Sequence, residues 1–340
     1  MSVSRRPYAP LPEFQPGTVL PGKWRGRQYR IMRLVGRGAN GTVYQVLREQ
    51  SLVAIKIGEN ATAIALEYER MRELTASIGI PGIIPELYEH DDVEHGGEVY
   101  PMLAMEFIRG VSPEEFVGVH GRKWIPVCLS RLLRRLETLH ARGYAFCDLK
   151  SANLIFDQDT AEARLIDFGG LTPIGQAVRE FTELYDRAWW GLGTRKADPH
   201  YDMFACALLG LQLIAPINPA DLDRLRTRRP ADRETFLYRR CASEINDGQQ
   251  QLRAILSKAL KGQYREPAEF RMALDSLLVP LQGEQWASAE QAGRSTTPGP
   301  DGVLKRARTR RRWDLTDWGL LVAVTVFVAV MGTLLWLGSL

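Results

Sequence analysis

Between Tyr144 and Phe156 the chain reads Tyr-Ala-Phe-Cys-Asp-Leu-Lys-Ser-Ala-Asn-Leu-Ile-Phe, which sets Asp148, Lys150 and Asn153 at short fixed spacings in an otherwise apolar stretch. Further on, Leu165-Ile166-Asp167-Phe168-Gly169 places a second acid in another short apolar run. Phosphoryl transfer needs these side-chain types. A carboxylate orients an attacking hydroxyl, a cation sits beside the moving phosphate, and an Asn and an Asp hold metal.

The two stretches resemble the catalytic loop (H-R-D-L-K-x-x-N) and the metal loop (D-F-G) of the eukaryotic-type, or Hanks-type, protein kinases. The resemblance implies an α+β, bilobal fold with a β-rich N-lobe and a helical C-lobe, and ATP with Mg2+ as cofactors. It gives Asp148 the role of base or orienting group, and Lys150 that of neutralising charge on the γ-phosphate. Asn153 and Asp167 would bind Mg2+ through hard oxygen ligands. A Lys at position 150 marks the serine/threonine kinases within this family, so the expected acceptors are Ser and Thr hydroxyls of proteins.

The elements that must position these residues follow in order. Tyr29 to Val35 reads as a strand leading into Gly36-Arg37-Gly38-Ala39-Asn40-Gly41. A lone G-x-G-x-x-G could equally open a dinucleotide-binding unit, which would begin a helix here. Instead Thr42-Val43-Tyr44-Gln45-Val46 continues as a β-branched and aromatic strand. By the resemblance, Gly36, Gly38, Gly41 and Val43 lie against ATP, and Lys56 of Val53-Ala54-Ile55-Lys56 contacts its α- and β-phosphates. Thr62 to Thr75 is helical, with Met71 and Leu74 on one face. The family's helix presents a Glu to this Lys, and Glu67 fits better than Glu69 because Met71 and Leu74 then fall four and seven positions later. Val99 to Gly110 resembles the last N-lobe strand and the hinge. Met105 would sit at the back of the adenine pocket, and the backbone of Glu106 and Ile108 would meet the adenine edge. Val127 to Gly143 reads as a helix with Gly143 as its C-cap, and residues 203 to about 280 as further helices.

The sequence also departs from the family. H-R-D reads Phe146-Cys147-Asp148, and Cys147 removes the Arg that pairs with a phosphorylated activation loop in many kinases. Loop phosphorylation is therefore not expected to be the main switch. Thr172 is the only hydroxyl between Gly169 and Thr182. Thr182 and Tyr185 keep their places in G-T-x-x-Y-x-A-P-E, so Thr182 is expected to hydrogen-bond Asp148 and Lys150. The A-P-E has become Arg187-Ala188-Trp189, which puts peptide recognition, not phosphate chemistry, in question. Asp202 is expected to brace the catalytic loop.

With 340 residues, 45% hydrophobic and 25% charged, the chain has the make-up of ordinary globular proteins. Cys128, Cys147, Cys206 and Cys241 are scattered, without C-x-x-C spacing, so neither a zinc site nor a disulfide framework is indicated. The N-terminus has no apolar h-region, and no cleaved signal peptide is expected. The layout reads as a Pro-rich N-terminal arm over 1–27, extended and loosely ordered, and a kinase domain over 28–280. A flexible linker over 281–304, a basic juxtamembrane segment over 305–313 and a transmembrane helix over 318–338 follow. No charged residue occurs from Trp318 to Leu340, about the length that crosses a bilayer. The expected location is a single-pass protein of the cell membrane with a cytoplasmic kinase domain.

Lys305, Arg306, Arg308, Arg310, Arg311 and Arg312 put six basic residues in eight. Three readings stand: fixing membrane orientation, binding anionic lipid, and sequence-independent contact with nucleic acid phosphates. Kinase domain, basic linker and terminal span together resemble the sporulation-associated kinases of Gram-positive spore formers. Self-association for autophosphorylation in trans would follow from clustering on such a surface, with Ser295, Thr296 and Thr297 as tethered acceptors. A membrane-tethered pseudokinase is the alternative from another class, favoured by the altered H-R-D and A-P-E. A small-molecule kinase is a third, opposed by Lys150.

Overall fold

β-branched and aromatic residues between Gln28 and Ile57 alternate toward a common buried face: Tyr29, Ile31, Tyr44, Val46, Val53, Ile55 and Ile57. They build the first half of an antiparallel sheet in a computed structural model that describes residues 11–38, 41–78, 82–157, 162–179, 181–244 and 250–278. The strands are β1 (Val19–Pro21), β2 (Gln28–Gly38), β3 (Gly41–Arg48), β4 (Ser51–Ile57), β5 (Leu87–His95) and β6 (Glu98–Glu106). They are ordered β1-β2-β3-β4-β6-β5. The run on β4 is nearly continuously buried because both faces of the sheet are covered. Helix α1 (Ala61–Ile78) packs one face through Ile64, Met71 and Leu74.

The other face is covered by the segment read from sequence as a loose arm, and here the structure corrects that reading. Residues 11–27 belong to the sheet. Phe14 is buried against Tyr44, with ring centroids 5.6 Å apart edge-to-face, and against His95 and Tyr100. Val19 pairs with Arg30, and Asp91 accepts the backbone N–H groups of Trp24 and Arg25 at 3.0 and 3.2 Å. Prolines masked this segment because they break periodicity, yet they are tolerated on an edge strand such as β1.

The second half is helical: α2 (Pro113–His120), α3 (Ile125–His140), α4 (Pro199–Ile214), α5 (Pro219–Arg226), α6 (Pro230–Glu244), α7 (Gln250–Leu260) and α8 (Pro267–Asp275). Helix α3 buries Leu129, Leu132, Leu133, Leu136 and Leu139 at spacings of three and four, and packs against α4 and α8. It ends at His140, and Gly143, at φ 81°, lies beyond the cap in the turn back toward the catalytic loop. Two short antiparallel ribbons complete this lobe. In one, β7 (Tyr144–Ala145) pairs with β10 (Thr172–Pro173); in the other, β8 (Leu154–Phe156) pairs with β9 (Ala163–Leu165).

Among the described residues no helix is long and apolar enough to cross a membrane. The stretch 318–338, the basic run 305–312 and the linker lie outside the described residues. All four cysteines are buried free thiols.

Removing the ring that covers the sheet leaves a cavity no neighbour fills. Phe14→Ala should destabilise the domain by about 3 kcal/mol, read as a lower midpoint in chemical unfolding. An unchanged midpoint would return residues 11–27 to a loose arm.

Candidate active site

The β8–β9 ribbon explains how Asn153 and Asp167 meet. Leu154 pairs with Leu165, and the Ile166 N–H donates to the Asn153 carbonyl at 3.1 Å, so the residues flanking the ribbon come together at its end. The Asn153 amide nitrogen donates to the Asp148 carbonyl at 2.8 Å and to Asp148 Oδ2 at 2.9 Å. Lys150 Nζ donates to the same Oδ2 at 2.6 Å. The Thr182 hydroxyl donates to Asp148 Oδ1 at 3.1 Å and accepts from Lys150 at 3.3 Å. Asp148 is thus held in one orientation by three donors. Gly170 packs directly behind it, where an added Cβ would lie 2.6 Å from the Asp148 Cβ.

Lys56 is on β4, opposite Val43 of β3 and Leu103 of β6. Its Nζ lies 2.7 Å from Glu67 Oε2 and 3.0 Å from Asp167 Oδ1. Glu67 is 3% exposed, whereas Glu69 is on the solvent face and pairs with Arg72. Burial works against the Lys56 charge, but Glu67 and Asp167 outweigh it and hold the ammonium above its ordinary value. Burial likewise works against the Asp167 charge. The Lys56 ammonium and the Gly169 N–H, 3.0 Å away, more than offset it and keep the carboxyl below its ordinary value.

These side chains open on a cleft of about 600 Å³. Val43, Ala54, Met105 and Ile108 give it an apolar wall, and Gly36, Gly38 and Gly41 form its rim. At Gly41, φ is 141° and a side chain would collide with the Ile57 carbonyl, so only glycine fits there. Glu106 also lines the cleft. All twelve residues selected from sequence gather here: eleven line the cleft, and Glu67 joins through Lys56.

Of the remaining contacts, the Asp202 brace and the packing of Phe146 under the metal loop were expected from the sequence, whereas the Arg164 and His140 pairs and the bracing by Asp186 and Arg187 left no readable signal. The Glu106 side chain is held by Arg164 of β9 at 2.7 Å, which ties the hinge to the catalytic lobe. His140, at the end of α3, binds the buried Asp202 at 2.8 Å, and that carboxylate also accepts the Phe146 and Cys147 N–H groups at 2.8 Å each. Phe146 stands edge-to-face on Phe168 at 5.5 Å. Where A-P-E is missing, the segment supplies its own brace. Asp186 is fully buried and accepts from Tyr201 at 3.0 Å and Arg195 at 2.8 Å, while Arg187 pairs with Asp198 at 2.6 Å.

A carboxylate aimed into a cleft, two cations, an apolar slot and a glycine rim suit the transfer of a phosphoryl group from a nucleotide. A family model for the protein kinase domain matches residues 29–268. The chain belongs to the protein kinase family. The serine/threonine-protein kinase YabT of Bacillus subtilis is 32% identical to this kinase over 324 residues, covering 93% of each chain. The serine/threonine-protein kinase PknG of Mycolicibacterium smegmatis is 28% identical over 179 residues, 49% of this chain and 22% of that one. Among solved structures, that of vaccinia related kinase 3 superposes with a TM-score of 0.54 at 16% identity. It covers 82% of this chain and 94% of that one, and shares the fold. The protein is a serine/threonine protein kinase, and the family works with ATP and Mg2+.

The residues present fit that pair. The Asn153 amide nitrogen is spent on Asp148, which leaves its amide oxygen as a hard donor in the cleft that Asp167 also lines. Mg2+ is typically held by one or two such protein oxygens together with substrate phosphates. When bound, Mg-ATP supplies the phosphoryl group and the metal charge.

The buried pair makes a clear distinction between neighbouring acids. Glu67→Gln should lower kcat/KM for ATP roughly a hundredfold, because Lys56 loses the partner that aims it. Glu69→Gln should leave it unchanged. Steady-state kinetics showing equal losses in both variants would remove Glu67 from the site.

Proposed function

We propose that this kinase is anchored by a C-terminal membrane helix with its catalytic domain in the cytoplasm, and that its basic juxtamembrane run makes activity respond to nucleic acid. In the catalytic step, Lys56, positioned by Glu67, holds the nucleotide phosphates. Asp148 orients the Ser or Thr hydroxyl and takes its proton as the oxygen bonds to the γ-phosphorus, whose bond to the bridging oxygen breaks and releases ADP. Lys150 balances charge on the transferred group, Asn153 and Asp167 hold metal, and the backbone of Glu106 and Ile108 meets the adenine. The observation that carries this assignment is the fixed orientation of Asp148 by Lys150, Asn153 and Thr182.

Phosphate on the activation segment has no role in this scheme. Thr172 is 8% exposed and donates to the Gly170 carbonyl at 2.8 Å. Cys147 packs in an apolar cluster with Ala145, Val178, Ala197 and Tyr201, so the segment rests on apolar contact at the place where a guanidinium would need a phosphate.

Support for the anchor comes from the charge-free stretch after Asp317 and from the extent of the likeness to YabT. The share of the chain outside that match is smaller than the stretch following Leu278. Six cations in eight residues exceed what orientation alone requires, and they favour a polyanion. Gathering molecules on it would promote autophosphorylation in trans, with Ser295, Thr296 and Thr297 as tethered acceptors. By its layout, the setting is that of kinases acting during sporulation.

The test is phosphate incorporation from labelled Mg-ATP by the full chain in detergent, with duplex DNA or anionic vesicles added at low salt. The comparison is a variant with all six basic residues changed to Gln. We expect a several-fold rise with DNA that disappears in the variant and at high salt. A response to vesicles alone would reassign the run to lipid, and indifference to both would return it to membrane orientation. Stabilisation by nucleotide without any incorporation would make the protein a pseudokinase.

A further inference from the structure

The described surface holds a second concentration of positive charge, remote in sequence from the basic run. Residues 221–243, spanning most of α5 and α6, carry seven arginines against four acids. Between these helices is a cavity of about 650 Å³ walled by Arg228, Arg239 and Arg240, with Leu225 and Phe236 as an apolar floor. Several neighbouring arginines are already engaged. Arg229 pairs with Asp232 at 3.1 Å, Arg226 with Asp223 at 2.6 Å, and Arg233 lies 4.5 Å from the Trp189 ring. Among the described residues no ion pair engages Arg228 or Arg239, and both are exposed.

This surface is joined to the acceptor site. Arg226 also binds Glu183 at 2.8 Å, the residue after Thr182, whose hydroxyl touches Asp148. Arg233 meets the same segment again at Trp189. The segment that touches Asp148 is therefore the one that α5 and α6 hold, through Arg226 and Arg233.

We propose that the α5–α6 cavity is a docking site for an acidic segment of the protein substrate. Its carboxylates pair with Arg228 and Arg239, and an apolar side chain rests on Leu225 and Phe236. Asp232 also lines the cavity, already paired with Arg229. A peptide can space its carboxylates to meet Arg228 and Arg239 and pass that acid by, whereas an unbroken row of phosphates along a nucleic acid backbone cannot avoid Asp223, Asp232 and Glu234. An apolar floor also offers nothing to a phosphodiester. Guanidinium forks, by contrast, match carboxylates two bonds at a time.

The inference rests on the kinase activity, and the test separates the two. Two peptides share one Ser-containing core; one continues into a Glu/Asp-rich tail, the other into a Gln/Asn-rich tail. Each is assayed with the full-length kinase, with Arg228→Glu/Arg239→Glu, and with Arg228→Lys/Arg239→Lys. The wild type should favour the acidic peptide about tenfold in kcat/KM. The Glu variant should lose that preference through KM at unchanged kcat, the Lys variant should keep most of it, and turnover of the neutral peptide should be equal in all three. Absence of preference in the wild type, or a preference that survives charge reversal, would overturn the docking site while leaving the kinase intact. Loss of duplex DNA binding in the Glu variant with peptide preference unchanged would also overturn it, and would make the surface a nucleic acid interface. Failure of every form on the neutral peptide would count against the kinase activity itself.

Discussion

One buried carboxylate fixes the geometry of the catalytic loop. Asp202 has no solvent exposure, and its two oxygens accept from the Phe146 and Cys147 backbone and from His140, each at 2.8 Å. Three donors compensate the cost of burying that charge. They also hold Cys147 at φ 64°, a left-handed conformation that costs a non-glycine residue roughly 1–2 kcal/mol. Asp148 is the next residue, so its direction toward the cleft depends on that strained turn and therefore on Asp202. The chain of dependence runs from helix α4, which carries Asp202, through the loop backbone to the carboxylate that faces the acceptor.

The second constraint is electrostatic. Lys56 is 2% exposed, and a buried cation is tolerable only when paired. Glu67 and Asp167 supply the pairing from two different elements, helix α1 and the segment after β9. The position of α1 against the sheet, set by Ile64, Met71 and Leu74 in the core, thereby becomes a condition for a correctly aimed lysine. The apolar setting of Cys147 plays the matching part for the activation segment. Burial pushes its thiol far above the ordinary range, so it stays neutral and acts as a packing group. The segment is held by side-chain packing and by the Asp186 and Arg187 ion pairs.

Much of this site was legible in the sequence because its parts are local. Asp148, Lys150 and Asn153 are within six residues, and Asp167 follows one short ribbon later. Glu67 was separable from Glu69 because the resemblance puts apolar residues four and seven positions after the family's Glu, where Met71 and Leu74 fall, and the structure places the first against Lys56 and the second in solvent. Contacts between distant segments were legible only where family motifs carry them, as for Thr182 on Asp148 and Asp202 on the catalytic loop. Arg164 to Glu106 and His140 to Asp202 each join residues about sixty positions apart, and neither leaves a pattern in either segment. Residues 11–27 were misread for a different reason. A three-residue edge strand and a single anchoring Phe carry too little periodicity to stand out among prolines.

The central claim is that Asp148 orients the acceptor while other groups bind the nucleotide. The most direct measurement pairs phosphate incorporation with thermal stabilisation by Mg-ATP, in the full-length protein and its Asp148→Asn variant. The account predicts incorporation lower by roughly 10²–10⁴-fold with stabilisation unchanged, since general-base assistance is worth about that much and the nucleotide contacts are elsewhere. Incorporation equal to that of the unaltered protein would contradict it.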